Sequence, residues 1–255
     1  MSNEYLLLRD TMQTGMRLKT TKIMVEADVR ETPEYRETLV SRLGFAAIKA
    51  VLGPLIRRVW VKSVEGLENL PGDGAAIIAA NHSSYLDFLT FEAISPRKVH
   101  YLAAEKFFTS PLWRPLMVLT GQIPVDRKKS DKTKSRGMVL SALDQGRLVG
   151  IFPEGGRSAS GRLQKAFTGV ARFAHASGAP VIPVGVIGAY PIWSRRHKYP
   201  CPAREIIIRI GQPVHFGIYP PSMRAEEMYR DMTDRVMLEI ARLCGQTYIF
   251  TGRRD

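Results

Sequence analysis

Two side chains, about one third of the way along this sequence, have the types and spacing needed for proton transfer. His82 and Asp87 stand in the run Asn81-His82-Ser83-Ser84-Tyr85-Leu86-Asp87, just after an apolar stretch. A carboxylate that accepts a hydrogen bond from one ring nitrogen of a histidine fixes its tautomer and leaves the other nitrogen to take a proton. The spacing therefore predicts a general base. Taken alone, such a pair is more often a structural hydrogen bond or a surface pair.

A second segment, FPEGGRS, begins at residue 152 and has the composition of an anion-binding loop. Gly155 and Gly156 allow backbone N–H groups to turn toward an anion, and the guanidinium of Arg157 matches phosphate oxygens. Further donors in or beside the segment are Ser158, Ser160 and Lys165. The alternative is a tight surface loop with a solvated arginine. The glycines fit neither nucleotide-binding pattern, and Ser160 replaces the last glycine of a nucleophile elbow, which disfavours a serine hydrolase.

A third segment, GQIPVDR, ends at Arg127 and is followed by two lysines. A solvated charge run is the default interpretation of the lysines. Arg127 belongs to the same site as Arg157 only if the fold brings both to one pocket.

The pattern of apolar residues predicts a scaffold that could bring these segments together. Strands are predicted at 74–80, 98–103, 121–125, 147–152, 180–187 and 204–210, and helices at 85–95, 105–119, 131–145 and 163–177. We expect Gly146 and Gly178 to end helices, and Ser222 to cap a last helix that reaches about Leu243. Alternating strands and helices predict an α/β fold with a mixed, largely parallel central sheet flanked by helices. In such sheets, ligands bind at the carboxyl ends of the strands.

The composition is that of a globular protein with an unusual positive charge. The chain has 255 residues, of which 45% are hydrophobic and 24% charged, and its net charge is +13. This excess favours an anionic partner, such as nucleic acid, anionic lipid, a phosphorylated substrate or an acidic protein. The two cysteines, Cys201 and Cys244, form neither a disulfide framework nor a zinc motif, and no ligand spacing predicts a metal site. No nucleic-acid-binding motif accompanies the charge.

The first 59 residues differ from the rest of the chain in the pattern of their apolar and charged residues. We predict a helical, membrane-associated segment over 1–59 and a catalytic domain over 60–255. The stretch Leu43 to Trp60 is apolar but interrupted by Lys49 and Pro54, which is typical of an interfacial helix or a broken helical pair. Residues 5–25 could form a basic amphipathic helix, and 26–37 a linker. The alternative is that both helices pack on the main domain. No secretory signal is recognisable, so we expect a peripheral or monotopic protein on the cytoplasmic face of the membrane.

Taken in order, the three segments resemble the glycerolipid acyltransferase family, whose bacterial members acylate 1-acyl-glycerol-3-phosphate. The family patterns N-H-x4-D, G-x-I-P-V-D-R and F-P-E-G-x-R-S start here at Asn81, Gly121 and Phe152, and residues 181–184 resemble the fourth block, an apolar strand around a proline. The resemblance runs from about residue 60 to 215. Gly156 stands where many relatives carry threonine. Before the second block, relatives often have a lysine next to an alanine, whereas here Glu105 separates Lys106 from Ala104.

The resemblance implies transfer of a fatty acyl group from acyl-CoA or acyl-carrier protein to the free hydroxyl of 1-acyl-glycerol-3-phosphate, giving phosphatidic acid. His82, oriented by Asp87, would be the catalytic base. The acceptor phosphate would be held by Arg127, Arg157 and the backbone of Gly155 and Gly156, with Ser158 nearby. Glu154 would orient an arginine or the loop. No acyl-enzyme, metal or cofactor is implied beyond the acyl donor itself.

Two other functions remain open from the sequence. A sister acyltransferase could act on another lysophospholipid, on glycerol-3-phosphate or on an amino-lipid, because these activities share the same blocks. A non-catalytic module that binds an anionic surface or nucleic acid rests on the charge alone. The expected partners are therefore the acyl donor, a lysophospholipid acceptor and an anionic membrane surface, without nucleic acid.

Overall fold

The computed structural model describes residues 37–111, 113–125 and 133–251. In this part of the chain the helices are α1 Leu39–Trp60, α2 Leu86–Ile94, α3 Lys106–Thr109, α4 Arg114–Leu119, α5 Thr133–Asp144, α6 Gly169–Ser177, α7 Tyr190–Trp193 and α8 Ala225–Cys244. The strands are β1 Val61–Glu65, β2 Ala76–Ala80, β3 Val99–Ala104, β4 Ile123–Val125, β5 Leu148–Ile151, β6 Val181–Ile187 and β7 Ile206–Ile210.

The strands form one sheet in the order β1-β7-β6-β2-β5-β3-β4. Every neighbouring pair is parallel except β6 and β7, which are antiparallel. The predicted mixed, largely parallel α/β sheet is therefore confirmed. Strands β2 to β6 all end at one edge of the sheet. Because β7 runs opposite to β6 and parallel to β1, both β7 and β1 begin at that same edge. We call it the site edge.

Helices cover both faces of the sheet and bury a separate apolar core on each side. On one face, α5, α6 and α8 pack over side chains such as Val170 and Met237. On the other face, α2 packs over the sheet through residues such as Leu86 and Phe91. Strands β2 and β5 are buried along their whole length, which explains their uninterrupted apolar sequences.

The predicted elements differ from the observed ones at three places. The single helix expected over 105–119 is two short helices, because Ser110 precedes Pro111 and takes an extended conformation. The helix expected from residue 163 starts only at Gly169. Ser222 does not cap α8, which begins after Arg224 without a side-chain cap.

The segment before α6 is not helical, because its backbone N–H groups bond to side chains that follow α8. The N–H groups of Leu163 and Ala166 donate to the side chains of Gln246 and Tyr248 at 3.0 and 3.2 Å. Gly178, with φ of 69°, ends α6 in the left-handed conformation, as predicted.

Helix α1 is one continuous helix rather than a broken pair, despite Pro54. It packs outside α2 and is fixed at both ends. At its start, the carboxylate of Glu37 pairs with Lys98 at 2.8 Å and Arg147 at 3.1 Å. At its end, Trp60 Nε1 donates to the carbonyl oxygen of Cys201 at 2.9 Å. The predicted amphipathic helix over 5–25 and almost all of the predicted linker lie outside the described residues.

The outer face of α1 is a continuous apolar stripe. It is formed by residues at helical spacing that are all exposed: Leu39, Val40, Leu43, Ala46, Ala47, Ala50, Val51, Pro54 and Leu55. By length and composition, α1 is also long and apolar enough to cross a membrane, and only 11% of its apolar window is buried in the protein. We call this surface the α1 stripe.

Candidate functional site

Two of the three segments singled out in the sequence meet at the site edge, because β2 and β5 are adjacent parallel strands. The segment with His82 follows β2, and FPEGGRS follows β5. Asn81 fixes the start of the first segment against β6. Its side-chain amide donates to the carbonyl of Val186 at 2.9 Å and accepts the Val186 N–H at 2.7 Å.

The imidazole of His82 is paired with Asp87. The distance from His82 Nδ1 to Asp87 Oδ2 is 2.9 Å. An ionised carboxylate only accepts, so Nδ1 carries the hydrogen and Nε2 is the nitrogen that can take a proton. The same Asp87 oxygen accepts the N–H groups of Ser83 and Ser84 at 2.7 and 2.8 Å, which closes the turn into α2. Asp87 is 1% exposed, whereas the His82 side chain keeps 14% of its surface accessible.

The backbone of His82 is bonded on both sides to the FPEGGRS loop. Its N–H donates to Glu154 Oε1 at 2.8 Å, and its carbonyl accepts the N–H of Ser158 at 2.7 Å. The other oxygen of Glu154 accepts the N–H of Gln164 at 2.9 Å. Glu154 therefore orients the loop, which is one of its two predicted roles.

The imidazole is the end member of a stack of three rings. The ring of Phe152 lies parallel to that of His82 with centroids 3.9 Å apart, and the Tyr101 ring stacks on Phe152 at 5.5 Å. Tyr101 fits there because its partner on β5 is Gly150, where a Cβ would lie 2.4 Å from the tyrosine ring. The stack restricts tilting of the imidazole out of this plane.

Arg157 lies over the aromatic face of Tyr85, three residues after His82. Its guanidinium carbon is 3.5 Å from the ring centroid, and the Tyr85 ring in turn contacts Trp193 at 5.0 Å between centroids. Within the described residues, the buried Nη1 of Arg157 has no hydrogen-bond partner. The loop thus presents a cation with an unmatched donor close to the imidazole.

Two of the predicted phosphate contacts have other roles. The N–H of Gly155 donates to the carbonyl of Phe152 at 2.9 Å, so this amide does not face an anion. Gly155 is needed for its conformation, since its φ is 68° and a Cβ would approach the Phe167 ring to 2.8 Å. Ser158 is 1% exposed, and its hydroxyl donates to the carbonyl of Arg162 at 2.7 Å. The loop uses both groups to hold its own shape, and a part for either residue in substrate binding stays a prediction.

For the other residues considered in the sequence analysis, the structure gives position and burial only, or nothing. Gly156 lies half-buried in the loop beside Arg157. Arg127 lies outside the described residues. Lys106 is exposed at the start of α3, beyond the end of β3 at the site edge.

Comparison with known proteins agrees with this geometry. The family model described as Acyltransferase matches residues 62–187, which include β2, β5 and both segments of the site. This chain belongs to the acyltransferase family.

Among the relatives of this acyltransferase is a 1-acyl-sn-glycerol-3-phosphate acyltransferase of Bacillus subtilis, 28% identical over 66% of this chain and 83% of that protein. The chloroplastic 1-acyl-sn-glycerol-3-phosphate acyltransferase LPAT1 of Arabidopsis thaliana is 28% identical. The match covers 60% of this chain and 43% of the Arabidopsis protein. The crystal structure of the 1-acyl-sn-glycerophosphate (LPA) acyltransferase PlsC from Thermotoga maritima has the same fold. Its TM-score is 0.62, with 22% identity, over 78% of this chain and 79% of that one. Family membership implies lipid substrates, and with the α1 stripe it indicates association with a membrane.

Sequence reasoning missed the aromatic residues that hold the acyltransferase site. Tyr85 and Phe152 lie inside the recognised segments, but nothing in the spacing assigns them a role. Tyr101 and Trp193 lie outside the segments. The available signal was Gly150 in an otherwise bulky strand, since a glycine there marks the close approach of another side chain.

Burial raises the pKa of Glu154 from 4.5 to about 7; the two backbone N–H donors oppose this shift, and the charge of Asp87 adds to it. The folded protein therefore binds a proton on Glu154 that the unfolded chain has released. The stability supplied by this proton is complete below pH 4.5 and is lost as the pH rises to about 7.

This shift predicts a pH-dependent difference between wild type and Glu154→Gln. Between pH 4.5 and 7, the free energy of unfolding of the wild type should fall relative to the variant by about 3 kcal/mol. Urea unfolding at several pH values measures the difference, and Glu68→Gln, at an exposed glutamate, corrects for loss of one charge. A difference that stays constant across this range would contradict the prediction.

Proposed function

We propose that this acyltransferase transfers a fatty acyl group from a thioester, acyl-CoA or acyl-carrier protein, to the free hydroxyl of 1-acyl-sn-glycerol-3-phosphate. The product would be phosphatidic acid, a phospholipid precursor. The observation that carries the proposal is the pairing of His82 with Asp87, with the His82 carbonyl bonded to the residue after Arg157. The guanidinium of Arg157 lies on Tyr85 and has a buried, unmatched donor. The names of the Bacillus and Arabidopsis relatives support this choice of acceptor.

Nε2 of His82 is the proposed base. It removes the proton from the acceptor hydroxyl as that oxygen attacks the thioester carbonyl carbon. When the carbon–sulfur bond breaks, the imidazolium returns the proton to the leaving thiolate, so an ester and a free thiol result. Asp87 stabilises the transient imidazolium through Nδ1, as its 2.9 Å contact allows. A free alcohol needs this help because it is a weak nucleophile near neutral pH.

Arg157 is the proposed contact for the acceptor phosphate. A guanidinium offers paired donors that match phosphate oxygens, and stacking on Tyr85 holds its plane in one orientation. Arg127 remains a second proposed contact on the resemblance alone. Acceptors such as glycerol-3-phosphate or another lysophospholipid also carry a free hydroxyl and a phosphate. A panel of acceptors is therefore needed to tell these substrates apart.

The α1 stripe is the proposed membrane contact of the enzyme, on the cytoplasmic leaflet. Its lipid substrates reside in the bilayer, and an apolar helix face that is exposed in water is favourable when buried at the acyl boundary. The helix ends at the site edge, because β1 follows it directly and begins there. Docking through the stripe would therefore bring the site close to the lipid surface.

His82→Ala should lower the rate of transfer by about 10²–10⁴-fold, because the general base is removed. The test incubates the full chain with labelled oleoyl-CoA and a panel of acceptors, then follows free thiol and product lipid. His175→Ala, at an exposed histidine on α6, is the matched control. Transfer at the wild-type rate by a folded His82→Ala protein would refute the proposed function.

Arg157→Ala should raise the KM for the acceptor about 10–100-fold, because a charge-assisted hydrogen bond to phosphate is lost. Tyr85→Leu should raise it by a smaller factor, about 2–5-fold, since only the stacking is removed. Tyr85→Phe keeps the aromatic face and should behave as wild type. Steady-state kinetics at saturating donor give these values. An unchanged acceptor KM in Arg157→Ala would argue against phosphate binding at this residue.

Leu55→Asp should weaken binding to lipid vesicles by about tenfold or more, because a buried leucine contributes about 1.5–3 kcal/mol of transfer free energy. Leu55 is 55% exposed in the α1 stripe, whereas Leu238, 47% exposed on α8, lies on the other face of the sheet. Leu238→Asp is thus the control for a new surface charge. Co-sedimentation with phospholipid vesicles measures both, and equal loss in the two variants would count against the stripe.

A further inference from the structure

We propose that residues 195–198, the sequence Arg-Arg-His-Lys, form a second membrane contact that binds the phosphates of anionic lipid headgroups beside the site. We call these residues the basic loop. The inference rests on the docking proposed for the α1 stripe and extends it, because the stripe supplies apolar contact and the basic loop supplies charge. It also fixes which edge of the sheet faces the lipid.

The basic loop is a concentrated and solvent-exposed set of cations. All four of its residues are exposed, and the next residue, Tyr199, is 70% exposed. Among the residues that the structure describes, Arg195, Arg196 and Lys198 have no acidic partner within ion-pair distance. Lys198 Nζ lies 5.4 Å from the ring centroid of Tyr199. An exposed tyrosine beside cations is typical of surfaces that meet the headgroup region.

The basic loop has a defined shape. Ser194, which is buried, lies at its start and contacts Nδ1 of His197 through its hydroxyl at 3.1 Å. The N–H of Arg196 donates to the same hydroxyl at 3.3 Å, and the N–H of Cys201 donates to the carbonyl of Ile192 at 3.1 Å. The cations are therefore presented by a structured turn.

Two tethers place the basic loop between the site and the end of α1. On one side, the carbonyl of Trp193 accepts the hydroxyl of Ser84 at 2.9 Å and the N–H of Tyr85 at 3.3 Å. On the other side, Trp60 at the end of α1 bonds to the carbonyl of Cys201 at 2.9 Å. The loop is thus connected both to the segment that carries His82 and to the lipid-facing helix.

The end of α1 adds charge at the same place. Arg57 and Arg58 are exposed in its last turn, where the α1 stripe stops. Apolar surface followed by cations is the arrangement in which acyl chains and headgroup phosphates are contacted together. The continuity of the basic loop with this helix end favours a membrane over the acidic acyl donor as its partner.

The experiment compares two double variants of the full chain that lose the same charge. Arg195→Gln with Arg196→Gln alters the basic loop, and Arg235→Gln with Arg242→Gln alters α8 on the other face of the sheet. Binding is measured by co-sedimentation with vesicles of phosphatidylcholine mixed with phosphatidylglycerol, and with phosphatidylcholine alone, without any acyl donor. The loop variant should bind the anionic vesicles about 25-fold more weakly than wild type, or about fivefold per cation. The α8 variant should bind nearly as wild type, and the difference should vanish in molar salt, where charges are screened.

The outcomes separate this inference from the docking on which it rests. If wild type binds neither kind of vesicle, the docking through the α1 stripe fails, and the inference fails with it. If wild type binds and both double variants bind equally, the basic loop is not a headgroup contact, although the docking stands. If vesicle binding is unchanged but the KM for acyl-CoA rises in the loop variant, the loop serves the donor and the inference is overturned.

Discussion

The position of the His82–Asp87 pair depends on the bonds that hold the backbone of His82 to the neighbouring loop. Its N–H is accepted by Glu154 and its carbonyl receives the N–H of Ser158. Neither bond involves the imidazole, so the ring is free to pair with Asp87 and to face a substrate. Burying Glu154 has a cost, and the elevated pKa of about 7 records it. Two backbone N–H donors offset that cost in part, and the bond from His82 to Glu154 joins two segments 72 residues apart.

The direction of the strands decides what gathers around that unit. Because β2 and β5 are adjacent and parallel, the turns that follow them meet at one edge. The reversal between β6 and β7 then brings α1 to the same edge, since β1 is parallel to β7. A wholly parallel arrangement would have placed the end of α1 at the opposite edge. The single antiparallel pair therefore brings the end of the apolar helix α1 to the same edge as His82 and Asp87.

Much of this could be predicted from the sequence, and what could not depended on contacts across the fold. The six predicted strands overlap β2 to β7, because buried parallel strands have apolar runs that local patterning detects. Strand β1 was missed, since its sequence VKSVE is short and half-exposed. The pairing of His82 with Asp87 followed from their spacing in one turn. The hydrogen bonds that Gly155 and Ser158 make within the loop did not, because their partners are set by the shape of the loop.

The ring stack shows how a core position controls the orientation of the His82 imidazole. Gly150 lies inside the sheet on β5, and the space of its missing side chain is filled by the ring of Tyr101. That ring supports Phe152, and Phe152 supports the imidazole of His82. A larger side chain at Gly150 would displace Tyr101 and remove the support from below, while the hydrogen bond to Asp87 would fix only one edge of the imidazole. The plane of the imidazole is thus set by packing, and its tautomer by the carboxylate.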